Sequence, residues 1–259
     1  MMLINGRVVG ESLDGANVND GCKETCYNLT NCILAFMDSH NNCILFDFNS
    51  TIQLEVEETE KTDGFMVAFK TWLPSDSCPI YSEMIPVVKI GEDTIPWTKT
   101  SNTFNFLKCV GDWKMFQRPD GITVCIKPFL STVITITAAR DYCESIGYNI
   151  TGLATVVESQ WVMNTMFQMG QGFGDFDGFW VDGYRNCSRP CNNFTYTDGY
   201  TVTGDVLTRA SLSFDINNVL ENCLQVARIA SVDPTNFVND VNCNWSTYGK
   251  GVVCGYQLV

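Results

Sequence analysis

The residues with the most chemistry in this chain lie near its end. Glu221-Asn222-Cys223 and Asn239-Asp240-Val241-Asn242-Cys243 place oxygen-bearing side chains beside two cysteines, and Asp215-Ile216-Asn217 follows the same pattern a few residues upstream. If Cys223 and Cys243 are bonded, their Cα atoms lie within roughly 7 Å of each other. The bridge then gathers Glu221, Asn239 and Asp240 from distant sequence, and Asp215 and Asn217 can supply two more ligands. Five such oxygens held by a disulfide suit a calcium ion in an oxidising compartment.

The rest of the chain must supply that compartment and that scaffold. At 259 residues it is long enough for two domains and can bury a core without help. Its 13 cysteines are far more than a cytosolic enzyme keeps. Cys22-x-x-x-Cys26 and Cys187-x-x-x-Cys191 are close pairs, but His40 is the only histidine and no matching zinc spacing exists. The cysteines therefore read as a secreted disulfide framework. Six N-x-S/T sequons agree with an extracellular home. Glycosylation is expected at Asn28, Asn49, Asn149, Asn193 and Asn244, whereas Asn186 is the weakest acceptor because a bonded Cys187 would make it awkward. A net charge of −13 repels nucleic acid and anionic lipid. No run of eighteen apolar residues is present, and the C-terminal residues carry no lipidation motif. Met1 to Gly10 lacks the features of a signal peptide, so a secretory leader is expected upstream of this sequence.

Along the chain the pattern divides at 1–73, 74–105 and 106–259. In the first part Met2–Val9 reads as a strand, and Asn19 or Asp20 as the cap of a short helix with Cys22 and Cys26 on one face. Ile33–Met37 and Cys43–Phe48 read as a hairpin, Glu55–Glu60 as a solvated loop or edge, and Phe65–Trp72 as a closing strand. The helix cysteines can reach the hairpin, which suggests Cys22 with Cys43 and Cys26 with Cys32 among the three pairings that four cysteines allow. Residues 74–105 hold four of the eight prolines and read as a linker with room for one strand at Pro86–Ile90. Cys78 is the cysteine left over, a candidate for a free thiol or an inter-chain link. In the last part Thr137–Ile146 and Thr155–Met166 have helical period, and Trp180-Val181-Asp182-Gly183 reads as a buried strand. Short strands are expected at Cys223–Ile229, Asn239–Trp245 and Gly251–Leu258. The fold class is α+β, disulfide-rich, in two domains.

The first strand, Cys22-x-x-x-Cys26, Cys32-Ile33-Leu34-Ala35, Cys43 and the Val67-Ala68-Phe69-Lys70 end resemble the small nematode CW domain, a relative of the PAN/apple module. The resemblance implies a binding or spacing unit. Two helices, then short strands, then Cys143, Cys223, Cys243 and Cys254 in that order resemble a C-type lectin-like domain of the long form. Thr151-Gly152-Leu153, Trp180-Val181-Asp182-Gly183 and the Cys187/Cys191 turn resemble its nematode branch. The resemblance implies bonds between Cys143 and Cys254 and between Cys223 and Cys243, and makes Cys109 and Cys125 the extra N-terminal pair.

By the same resemblance, Asp215, Asn217, Glu221, Asn239 and Asp240 match the family's calcium ligands, and Asp215, Asn217, Glu221 and Asn239 its sugar contacts, of mannose or glucose type. The partners implied are glycans or cell-surface glycoproteins, with a role in surface recognition or innate defence. Three positions depart from the pattern: Ile216 replaces a proline, Val238 an aromatic residue, and Asp215 is one methylene shorter than glutamate. Three readings follow: a calcium-dependent lectin, a calcium-independent protein-binding module with a degenerate sugar site, and a structural or spacer protein joined through Cys78. Enzyme chemistry ranks last, because His40 lies in the other domain and no spacing singles out Asp182 and Asp198 as a carboxylate pair.

Overall fold

The computed structural model describes residues 1–10, 16–18, 21–73, 80, 84–91, 93–132, 134–170, 173–174, 176–187, 193–202, 204–208, 215–216, 219–227 and 236–259. Cys78, Cys191 and Asn217 lie outside these. The chain divides into two compact units, Met1–Gly111 and Asp112–Val259.

Hydrophobic alternation builds the first unit. One sheet joins β1 (Met2–Ile4), β7 (Met66–Phe69), β4 (Cys32–Met37), β5 (Cys43–Asp47) and β3 (Ala16–Val18) in that order. The helix α1 (Cys22–Asn28) is bonded to this sheet by Cys22–Cys43 and Cys26–Cys32, the pairing its reach suggested. Its N-cap is Gly21, in left-handed conformation and without a side-chain bond; the expected caps Asn19 and Asp20 lie outside the described residues. A second sheet runs β10 (Thr98–Thr100), β11 (Thr103–Leu107), β6 (Gln53–Glu58), β2 (Gly6–Val9). A third pairs β8 (Val87–Ile90) with β9 (Asp93–Pro96).

Three expectations change here. The single strand Met2–Val9 is two strands in two sheets, divided at Asn5. Gly6 permits this crossing, because a Cβ there would stand 2.8 Å from the Glu57 carbonyl oxygen. The acidic run Glu55–Glu60 is neither loop nor edge: most of it lies in β6, which pairs on both sides, to β11 and β2. Leu54 and Val56 point inward, while Glu57 and Glu58 are neutralised by Arg7 and Lys99 at 2.8 Å each. Much of the expected linker is sheet. Ile95, Trp97, Phe104 and Phe106 are buried, and Trp97 stacks edge-on against Phe69 with centroids 4.8 Å apart. The prolines concealed an aromatic contribution to this core.

The second unit is an eight-stranded sheet. Its path is β12 (Lys114–Gln117), β13 (Thr123–Leu130), β21 (Gly249–Gln257), β15 (Gly178–Arg185), β19 (Cys223–Ala227), β20 (Val238–Val241). The short β14 (Asn149–Ile150) pairs with β21, and β16 (Phe194–Thr195) with β15. The contact between β15 and β21 is parallel, and the other pairings are antiparallel. A two-stranded ribbon, β17 (Asp215–Ile216) with β18 (Val219–Leu220), precedes β19.

Two helices pack on the sheet where the apolar period placed them. The first, α2 (Ile136–Ser145), is capped by Thr135, whose hydroxyl accepts from the Ala138 N–H. It buries Ala139 and Cys143, and Cys143 is bonded to Cys254 in β21. The second, α3 (Val156–Met169), starts with a capping box between Thr155 and Glu158. It buries Val162, Met163 and Met166, but leaves Val157 exposed on its outer face. A short helix, α4 (Asp205–Thr208), follows, and the Asp205 carboxylate accepts from the Val156 N–H. Cys223 is bonded to Cys243. Cys109, Cys125 and Cys187 are also disulfide-bonded.

Because Cys143 and Cys254 are 111 residues apart, their bond restricts the unfolded chain far more than Cys26–Cys32, which spans 6. Replacing both members of the long-range pair by alanine is expected to cost about 4–5 kcal/mol, read as a lower denaturant midpoint. Removing the short one should cost clearly less.

Candidate functional site

The Cys223–Cys243 bond brings its two Cα atoms to 5.1 Å, so the segments around Glu221 and Asp240 do meet. The group between them is a residue the sequence did not single out. Arg185 ends β15, and its side chain is almost fully buried. Its Nη2 donates to Asp240 Oδ2 at 2.5 Å and its Nη1 donates to the Glu221 carbonyl oxygen at 2.8 Å. Its backbone N–H donates to the Asn222 carbonyl at 2.8 Å. One residue further back, the Leu220 carbonyl accepts from Asn242 Nδ2 at 3.0 Å. Three successive carbonyls leading into β19 are thus fixed by Arg185 and by the segment that follows β20. The guanidinium also lies 4.9 Å from the Phe194 ring centroid, across the β15–β16 pairing.

The expected ligands distribute unevenly around this cation. Glu221 and Asp240 are gathered, but both are buried, at 2 % and 0 % exposure. Asn239 and Asp240 are neighbours in β20, so their side chains leave the strand on opposite faces. Asn239 is half-buried and donates from Nδ2 to the Asp240 carbonyl at 2.7 Å. The backbone of Asp215 pairs with Leu220 in the β17–β18 ribbon, and its side chain lies outside the described set. Asn217 and the Asp215 side chain lie outside the described residues; the placement of the other three differs from the expectation of an open cage. A carboxylate that neutralises a buried guanidinium is not at the disposal of a divalent ion, and a second cation beside it would be repelled. Nor can a sugar hydroxyl reach two acids at such burial. The described residues do not fit a calcium ion at this place.

A second buried polar cluster lies beside α3. Arg118, just after β12, is bound by both oxygens of Glu158: Nε to Oε1 at 2.8 Å and Nη2 to Oε2 at 3.2 Å. Its Nη1 donates to Thr201 Oγ1 at 2.9 Å and its Nη2 to the Gly152 carbonyl at 2.8 Å. Glu158 Oε2 also accepts from the Ala154 N–H at 2.7 Å, so the capping carboxylate serves as the counter-ion of Arg118. Asp198 receives the N–H groups of Gly152, Tyr200 and Thr201 at 2.9 to 3.2 Å. Asp182 receives the N–H groups of Thr197 and Asp198 and the Thr197 hydroxyl, and Arg140 stands 3.4 Å away. Burial pushes the Asp182 carboxyl above its ordinary range, against those donors. It also raises the phenols of Tyr196 and Tyr200. The two aspartates are therefore turn-fixing acceptors, with their oxygens committed to backbone donors. That arrangement organises the loop 197–201 and presents no open general acid or base.

Arg118 and Arg185 are the buried cations that sequence reasoning passed over. A clue was available for Arg185, which ends the largely apolar strand β15; Arg118 follows the mixed strand Lys114–Gln117, whose pattern gives no such sign.

Residues 1–71 match the PAN-like domain family. The chain is also similar in fold to solved structures. These include CEL-IV, at 18 % identity and TM-score 0.41 over 59 % of this chain and 96 % of that one. The cow C-type carbohydrate-recognition domain of CD23 is 16 % identical, TM-score 0.39, over 59 % and 97 %. A calcium-independent type II antifreeze protein is 17 % identical, TM-score 0.38, over 59 % and 96 %. No curated protein matches the chain.

The Asp182 geometry carries a pH dependence. Its folded pKa is raised, so its contribution to stability is largest below the ordinary aspartate range and declines as pH rises through the folded value. The stability lost in Asp182→Asn should accordingly be greater near pH 4 than near pH 7, as read from denaturant midpoints at the two values. Glu158→Gln leaves the Arg118 charge buried without its counter-ion and is expected to cost about 3–5 kcal/mol, measured the same way.

Proposed function

We propose that the C-terminal unit is a C-type lectin-like recognition module that engages a protein partner, such as a cell-surface glycoprotein, without calcium, in an extracellular setting. The observation that carries this is the Arg185 guanidinium, bonded to the Asp240 carboxylate and the Glu221 carbonyl. It supplies the positive charge and the crosslink that a metal would otherwise supply, and it is part of the chain. The sugar site expected at Asp215, Asn217, Glu221 and Asn239 is on this reading degenerate. The PAN-like unit is a second binding or spacing module, and neither unit is read as an enzyme. Disulfides in both units support the extracellular assignment.

Calcium titration tests the proposal directly. A ligand present at a hundred times its Kd stabilises the folded state by about 2.7 kcal/mol. The expected result is equal melting temperatures in calcium and in EGTA, and no heat of binding in a calorimeter. A calcium-dependent rise, with elution from a mannose or glucose resin by EGTA, would sink the proposal. Arg185→Met should destabilise the C-terminal unit by about 3–5 kcal/mol, because Asp240 loses its buried counter-ion. Adding Asp240→Asn should recover part of that loss, as a double-mutant cycle would show.

A further inference from the structure

Three aromatic side chains form a row on the second unit. Phe176 is 52 % exposed and Tyr248 38 %. Their ring centroids are 5.9 Å apart, and Tyr248 lies 5.8 Å from Trp245. Trp245 is half-buried and, like Cys243, packs on the cluster that contains Cys223 and Val241. The backbone holds the row in place. The Gly178 N–H donates to the Tyr248 carbonyl at 2.9 Å, Gly249 to Ser246 at 3.1 Å and Trp245 to Asn242 at 3.0 Å. Neither Phe176 nor Tyr248 is exposed for want of anchoring.

The same turn carries Asn244-Trp245-Ser246, an acceptor sequon whose middle residue belongs to the row. Asn244 is exposed, and its N–H donates to Asn242 Oδ1 at 2.8 Å. Among the described residues its carboxamide makes no hydrogen bond. By contrast, the Asn149 carboxamide is engaged with the Asp198 carbonyl. Asn244 thus offers a free amide at the edge of an apolar, aromatic surface.

We infer that Asn244 carries an N-linked glycan whose first sugars lie on the Trp245–Tyr248–Phe176 row. The donor class is an oligosaccharide on a lipid diphosphate. Asn244 Nδ2 forms a bond to the anomeric carbon and gives up one proton. The bond from that carbon to the diphosphate oxygen breaks, and the lipid diphosphate leaves with the electron pair; no oxidant or reductant is needed. Pyranose rings have an apolar C–H face and a hydroxyl edge, so they can cover aromatic carbon while keeping their hydroxyls in water. Ring spacings of 5.8 and 5.9 Å put the three side chains within reach of a short run of sugars, and inclinations of 62° and 58° between the rings present edges as well as faces to it. The row is then occupied by the molecule's own carbohydrate, and an outside partner must use another face. The inference rests on the extracellular assignment but is independent of calcium.

The test uses the full chain secreted from a eukaryotic host behind a fused leader. Peptide mass spectrometry after amidase treatment, which converts a glycosylated asparagine to aspartate, should find that conversion at Asn244. An unmodified Asn244 in the secreted, folded protein overturns the inference. Contact is tested separately by a cycle of melting temperatures for the C-terminal unit within the full chain. Ser246→Ala and Asn244→Gln each remove the glycan, and Phe176→Ser with Tyr248→Ser removes the two exposed rings. Loss of the glycan should lower the transition by about 2–4 °C with the rings present and leave it unchanged without them. Equal shifts in both backgrounds would mean that the glycan points into solvent, and would overturn the contact. Among the described residues neither ring belongs to the two buried clusters of this unit, so their replacement leaves that core intact.

Discussion

A guanidinium taken out of water must be paired, and two are buried among the described residues of the second unit. Arg118 and Arg185 are each nearly inaccessible, and each faces a carboxylate with no exposure of its own, Glu158 and Asp240. Removing one partner of such a pair leaves an uncompensated charge, whereas the intact pair adds little net stability over a well-packed apolar substitute. What the pairs provide is a fixed geometry. Arg118 reaches Gly152, Thr201 and Glu158 from one side chain, which binds the start of α3 to the loop after β16. Arg185 binds the segment before β19 to β20. Five donors in a rigid plane make arginine suited to both tasks, and a lysine could not reproduce them.

The disulfides work on a different part of the problem. Cys143–Cys254 ties α2 to the central strand β21, and Cys223–Cys243 fixes the ends of the 20-residue stretch between β19 and the turn after β20. Crosslinks reduce the freedom of the unfolded chain but do not decide where a side chain points. Around Cys223 and Cys243 that decision falls to hydrogen bonds. The Leu220, Glu221 and Asn222 carbonyls are each claimed by a specific donor, from Asn242 or Arg185.

Much of this architecture could be read from the sequence. The two long helices showed themselves through apolar period and were found within a few residues of their expected ends. Cysteine spacing and reach suggested the two bonds of the first unit. The strands at 98–107 were obscured, because the prolines before them suggested a linker, although Phe104 and Phe106 alternate with polar residues as an inward face requires. The acidic strand β6 was obscured for the opposite reason. Its charges are tolerated at half-buried positions only because Arg7 and Lys99 come from other strands to meet them. At the candidate site, spacing correctly brought Glu221 near Asp240. It could not tell whether the gap between them was open, since Arg185 is 36 residues before Glu221 in sequence and reaches it only through sheet pairing.

The identity of the central cation also determines what kind of recognition the site supports. A bound calcium ion leaves coordination positions that an outside oxygen can fill. A guanidinium donates in its own plane, and here that plane is directed at Asp240 and the Glu221 carbonyl inside the unit. It therefore offers an external hydroxyl no comparable vacancy. Strand alternation adds to the argument at the end of β15: Arg185 turns inward, so Tyr184 just before it faces outward and is about half exposed, as is Leu220 at the end of β18. Both side chains are largely apolar, and the frame behind them is held by hydrogen bonds and a disulfide of the chain itself. On the reading proposed above, such a surface suits a protein partner.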